Sequence, residues 1–124
     1  MNMEGARVAV IEDSEIFRKI TRLHLERCGH FVVAEATNLT QALGLVGEIA
    51  QGNPEVDVIL LDGNLREGAR DGEDARQVIS KIKETKVKAK VFGFSLSPMS
   101  SYGIEVDVDT NKNWQRLEEG LKQL

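Results

Sequence analysis

The sequence predicts an α/β fold, a doubly wound five-stranded parallel sheet with helices on both faces. Three observations carry this. Short apolar runs alternate with longer segments of helical periodicity, the pattern of strands joined by right-handed helical crossovers. The run at 56–61 is apolar except for Asp57, as expected of a strand covered on both faces. Carboxylates stand where such runs end, at Glu12-Asp13 and at Asp62, and ligands of open α/β sheets sit at the carboxyl ends of the strands.

Each element has its own signal. Arg7-Val8-Ala9-Val10-Ile11 reads as the first strand, ending in Glu12-Asp13. Ser14 is a capping residue for a helix that runs to about Arg27, with Gly29 as its left-handed terminator. Ile16, Ile20 and Leu23 recur at helical spacing and are expected to face the core, with Phe17 and His24 flanking them. Residues 31–36 form the second strand. Asn38 or Thr40 opens a second helix carrying Ala42, Leu43, Val46, Ile49 and Ala50, weakened by Gly44 and Gly47. Gly52-Asn53-Pro54 ends it and leads into the strand that finishes at Asp62, where Gly63 lets the backbone turn.

A polar loop follows at 63–71. A third helix is predicted over 72–84 on Ala75, Val78, Ile79 and Ile82, and a fourth strand over 87–94. Ser95-Leu96-Ser97-Pro98 breaks that strand, and residues 99–103 leave room for one helical turn at most. The alternation of Ile104-Glu105-Val106-Asp107-Val108 reads as an edge strand with one wet face. Residues 111–124 close the chain as a helix with Trp114, Leu117 and Leu121 on its buried side. Five such strands are most often ordered 2-1-3-4-5, the flavodoxin-like arrangement, here with a shortened fourth helix.

The chain of 124 residues reads as one domain, 1–124, with 41% hydrophobic residues and a net charge of −4. It lacks the basic footprint of a nucleic-acid binder. No apolar run approaches the roughly 20 residues that span a bilayer. The lone cysteine, Cys28, reads as a packed thiol near a helix end and suits a reducing compartment, so a cytoplasmic protein without membrane insertion is expected.

In the 2-1-3-4-5 order the first and third strands are neighbours, so Glu12, Asp13 and Asp62 converge. Three close carboxylates repel one another unless a positive charge sits among them. Mg²⁺ accepts oxygen ligands and keeps open positions that a phosphoryl group can fill. An aspartate beside it can be a ligand or a nucleophile that forms an aspartyl phosphate. Ser95 after the fourth strand and Lys112 after the fifth can supply a hydroxyl and an ammonium to the phosphoryl oxygens.

This set, Glu12-Asp13, Asp62, Ser95 and Lys112, each after a strand, resembles the receiver domain of bacterial two-component response regulators. The segments Ile11-Glu12-Asp13-Ser14 and Val58-Ile59-Leu60-Leu61-Asp62-Gly63-Asn64-Leu65 carry the likeness, which extends over nearly the whole chain. The resemblance implies that Asp62 is the phosphoacceptor. It implies that Asp13 binds Mg²⁺ directly, Glu12 binds it through water and Asn64 offers a backbone carbonyl. Ser95 would hydrogen-bond the phosphoryl group, and Lys112 would pair with a phosphoryl oxygen, or with Asp62 before phosphorylation. A histidine kinase or phosphotransfer protein would donate the phosphoryl group in a phosphorelay, and a further protein would read the output by contact. The domain would be no enzyme beyond its own phosphorylation and dephosphorylation.

The sequence departs from the family at four places. Asn113 stands where a proline usually follows the lysine, and Leu96 where a small residue follows the serine. Asp109 occupies the place of the usual switch aromatic, with Tyr102 nearby but out of register. Too few residues separate Ser95 from Lys112 for a full helix and two loops. These departures support an alternative, a phosphorylation-independent interaction module. A Mg²⁺-dependent phosphohydrolase is a third reading. Such enzymes usually carry a second aspartate two residues after the nucleophile, a place taken here by Asn64.

Overall fold

The computed structural model describes residues 5–63, 72–95 and 97–124. Five parallel strands, β1 (Arg7–Ile11), β2 (Phe31–Ala36), β3 (Val58–Leu61), β4 (Lys90–Gly93) and β5 (Val108–Asp109), form one sheet in the order β2-β1-β3-β4-β5. The helices are α1 (Glu15–Arg27), α2 (Leu39–Ala50), α3 (Glu73–Thr85) and α4 (Trp114–Lys122). Among the described residues between β4 and β5 the one regular element is the 3-10 turn Met99–Tyr102.

The sheet divides two apolar layers by its pleat. Val58 and Leu60 of β3 join Val8, Val10, Phe92, Leu25 of α1 and Leu117 and Leu121 of α4. Ile59 and Leu61 point the other way, onto α2 and α3 through Val46, Ile49, Val78 and Ile82. All four residues of β3 are therefore buried, which is why the sequence there is a continuous apolar run.

Three of the four helices start at a polar side chain. The Phe17 N–H donates to Ser14 Oγ, the Gln41 N–H to Asn38 Oδ1 and the Arg116 N–H to Asn113 Oδ1. Each cap satisfies an N–H that the helix cannot, a contribution of about 1 kcal/mol. α3 starts instead at Gly72, in the left-handed region at φ 72°.

Three expectations need correction. Ile16, Ile20 and Leu23 do not face the core; they are 71, 45 and 62% exposed. The inner face of α1 is filled by Thr21 and Leu25. Helical spacing identifies a stripe but not which of two opposite stripes meets the sheet. Cys28 is exposed rather than packed; it caps the end of α1, standing beyond the helix's final residue, Arg27. The strand expected over 104–108 is reduced to Val108–Asp109. Here the side chain of Asp107 replaces the backbone, its Oδ2 accepting from the Val91 N–H at 2.7 Å while its own N–H donates to Val91 O. A local carboxylate thus takes the bond that a ladder carbonyl would have taken.

Candidate functional site

The carboxyl ends of β1 and β3 set two of the acids side by side. β1 and β3 pair with Ile11 opposite Leu61, so Glu12 and Asp62 leave the sheet together. The Asp62 N–H still donates to Ile11 O, and the Glu12 N–H to Ala36 O. Arg18, one turn into α1, donates from Nη1 to the carbonyls of Glu12 at 2.9 Å and Asp13 at 3.2 Å. The backbone that carries the acids is therefore braced from both strands and from the helix.

Carboxylate oxygens of Glu12, Asp13 and Asp62 all lie within 4.8 Å of one another. Glu12 is buried and Asp13 and Asp62 are half-buried. Lys112 enters from the β5 side and donates from Nζ to Glu12 Oε1 at 2.6 Å. The lysine's side chain is only 8% exposed, and its ammonium lies 3.6 Å from the centroid of the Phe17 ring, an attractive cation–π position.

Electrostatics follow from this crowding. Burial, and then the charge and hydrogen bond of Glu12, push the Asp62 carboxyl up to about 8. Burial also raises Glu12, but the hydrogen bonds from Asp62 and Lys112 outweigh it and hold Glu12 below its ordinary value. Asp13 is raised by burial and by its neighbour Glu12. A raised Asp62 beside a lowered Glu12 is what three carboxylates crowded around one ammonium produce. The donors are all oxygens. Such a set fits Mg²⁺ better than a softer metal.

The remaining expected residues are distributed as follows. Ser95 is buried beside the site; a Cβ on Gly63 would lie 2.9 Å from its Oγ. The Gly63 N–H donates to Asp62 Oδ1 at 2.8 Å. Asn64 and Leu96 lie outside the described residues. Lys112 meets Glu12 rather than Asp62, the partner the resemblance implied before phosphorylation. The lysine is set without a proline. Asn111 and Lys112 both adopt left-handed backbone, at φ 51° and 53°, a strain of about 1 kcal/mol each. Asn113 then caps α4.

Sequence reasoning missed three contributors. Phe17 was read as flanking the core stripe, yet it is the surface on which Lys112 rests. Thr110 is fully buried and donates from Oγ1 to Gly93 O at 2.6 Å, tying the end of β5 to β4. Tyr102 packs its ring against Gly63 and Gly72, where any Cβ would meet it at 2.6 Å. Asp109, by contrast, sits on β5 with Oδ2 accepting from the Ser100 N–H at 3.4 Å.

The fold is that of the receiver domains of response regulators. The chain aligns with the phosphorylated cyanobacterial phytochrome response regulator RcpA at 22% identity, over 96% of this chain and 90% of that one, with a TM-score of 0.66. It aligns with the signal receiver domain of the response regulator NarL from Mycobacterium tuberculosis at 23% identity, over 94% and 79%, with a TM-score of 0.61. A chain of the CheX–CheY–BeF3–Mg²⁺ complex of Borrelia burgdorferi aligns at 17% identity, over 93% and 88%, with a TM-score of 0.63. No protein-family model and no curated protein matches the sequence. No helix among the described residues is long and apolar enough to cross a membrane.

Proposed function

We propose that the chain is a signalling receiver that accepts a phosphoryl group on Asp62, with Mg²⁺ bound by Glu12, Asp13 and Asp62. The observation that carries this is the convergence of those three carboxylates within 4.8 Å, with Lys112 held against Glu12. Mg²⁺ would neutralise charge on the acids and on the incoming phosphoryl oxygens.

The chain's own residues account for the rest. Asp62 must first lose its proton. Its free oxygen then attacks phosphorus in line, and the bond from phosphorus to the donor's leaving oxygen or nitrogen breaks. Lys112, held against Glu12, would turn to a phosphoryl oxygen. Ser95 offers a hydroxyl from the end of β4, and Gly63, without a Cβ, leaves room for it. The donor is a histidine kinase or phosphotransfer protein, and the output passes by contact with another protein. The likeness to RcpA and to a chain of the CheX–CheY complex supports this reading through the fold.

Intact mass after incubation with acetyl phosphate tests it. Wild type with Mg²⁺ is expected to gain one phosphoryl group, and neither Asp62→Asn nor the metal-free protein gains it. A gain retained in Asp62→Asn would refute the assignment. The 3-10 turn that stands in place of a full helix favours a second reading, an interaction module that signals without phosphate. That reading expects no labelling by acetyl phosphate or by any kinase tried, with the fold intact.

A further inference from the structure

On the face of the molecule formed by α1 and α4, a second group of metal-ligating side chains stands apart from the acidic triad. His24 and Cys28 lie one helical turn apart on α1, and Glu118 comes across from α4. Their ligand atoms all fall within 4.8 Å of one another, with His24 Nε2 and Cys28 Sγ 3.9 Å apart. We propose that His24, Cys28 and Glu118 bind a transition-metal ion of the zinc class, independently of the acidic triad.

The donor chemistry selects that class. One imidazole, one thiolate and one carboxylate suit Zn²⁺ and its neighbours, whereas Mg²⁺ takes oxygen alone. A tetrahedral ion with bonds of about 2.0 Å to nitrogen and 2.3 Å to sulfur holds those atoms about 3.5 Å apart. The observed 3.9 Å needs only a few tenths of an ångström of closure. Thiolate and carboxylate together cancel the charge of a divalent ion. Cys28 is exposed, which gives the ion a path in.

A neighbouring ring already positions one of the ligands. The His24 ring packs on Trp114 with centroids 4.6 Å apart, and Trp114 packs on Phe94 at 4.9 Å. His30 Nδ1 accepts from the Ala6 N–H at 2.9 Å, so the neutral ring carries its proton on Nε2. That nitrogen lies 3.6 Å from Glu118 Oε1. His30 therefore has no lone pair to offer a metal on that side. Three protein ligands result, with the fourth position open to water. Burial and then Glu118 push the Cys28 thiol up, and Arg27 and Lys122 offset this only in part, so an ion would have to displace the thiol proton on binding. The bound ion would fasten the last turn of α1 to α4.

Cobalt is the probe. Reduced, tag-free protein stripped of metal is titrated with CoCl2 in excess Mg²⁺, which keeps cobalt from the acidic triad. Wild type is expected to show a thiolate-to-cobalt charge-transfer band and tetrahedral d–d bands, saturating at one ion per chain and displaced by Zn²⁺. Cys28→Ser should lose the charge-transfer band. His24→Ala and Glu118→Gln should each weaken cobalt binding by about tenfold or more. Circular dichroism and Mg²⁺ titration report whether each variant retains its fold. Absence of the band in wild type overturns the proposal. So does saturation at half an ion per chain, or unchanged affinity in both His24→Ala and Glu118→Gln.

Discussion

Replacing Asp62 by asparagine is expected to stabilise the metal-free fold, and to do so more at alkaline than at acid pH. The carboxyl ionises near 3.8 when unconstrained and at about 8 in the fold. The fold therefore favours the neutral acid. Between those two values folding takes up a proton, so stability falls as pH rises through the window and the loss is complete above about 8. At about 1.36 kcal/mol per pH unit the whole shift has a ceiling near 5–6 kcal/mol. Water on the open side of the site and movement of Lys112 towards a newly ionised Asp62 reduce this to about 2–3 kcal/mol. Asparagine matches the carboxyl in size, remains neutral and can still donate to Glu12. Urea unfolding in chelator-treated buffer, near pH 5 and near pH 8.5, measures the difference. Asp62→Asn should gain about 2–3 kcal/mol over wild type at the higher pH and much less at the lower. An equal effect at both values, or a loss at the higher, would refute this account of the triad. Added Mg²⁺ should narrow the gap by stabilising wild type selectively.

Lys112→Met keeps an apolar stem against Phe17 but leaves the Glu12 charge buried without its partner. It should cost about 2–3 kcal/mol near pH 8 and less near pH 5, where Glu12 can take up a proton, as read by urea unfolding. Gly44 lies on the exposed side of α2 with open space where a Cβ would go. Gly44→Ala should raise stability by about 0.5–1 kcal/mol, seen as a higher thermal midpoint.

Most of the fold was legible because it rests on patterns of burial that the sequence carries directly. The run Val58-Ile59-Leu60-Leu61 had no polar face to offer water, so it became the central strand. Ser14 and Asn38 capped the helices they preceded. Glu12, Asp13 and Asp62 could be placed because strand order alone brings their strand ends together. What failed did so for local reasons. The stripe Ile16-Ile20-Leu23 is as periodic as the buried one, and periodicity carries no direction. The alternation at 104–108 hid Asp107, whose side chain bonds the neighbouring strand in place of the backbone. The pairing of Lys112 with Glu12 depends on how three acids and one ammonium pack together, a collective property that no single residue announces.

The same Asp107 has a consequence for the two borders of the sheet. A strand at a border offers a row of unpaired amides and carbonyls to any extended chain that meets it. At the β5 border the ladder is two residues long, with an ionisable side chain inserted just before it. A visiting strand would find little length to follow. The β2 border is six residues long and shows Phe31 and Val33 to solvent, 56 and 38% exposed. The molecule is thus asymmetric in its resistance to accretion, guarded on one flank and open on the other. Heated or concentrated chains should join first along β2, and a lysine in place of Val33 would be the simplest barrier to set there.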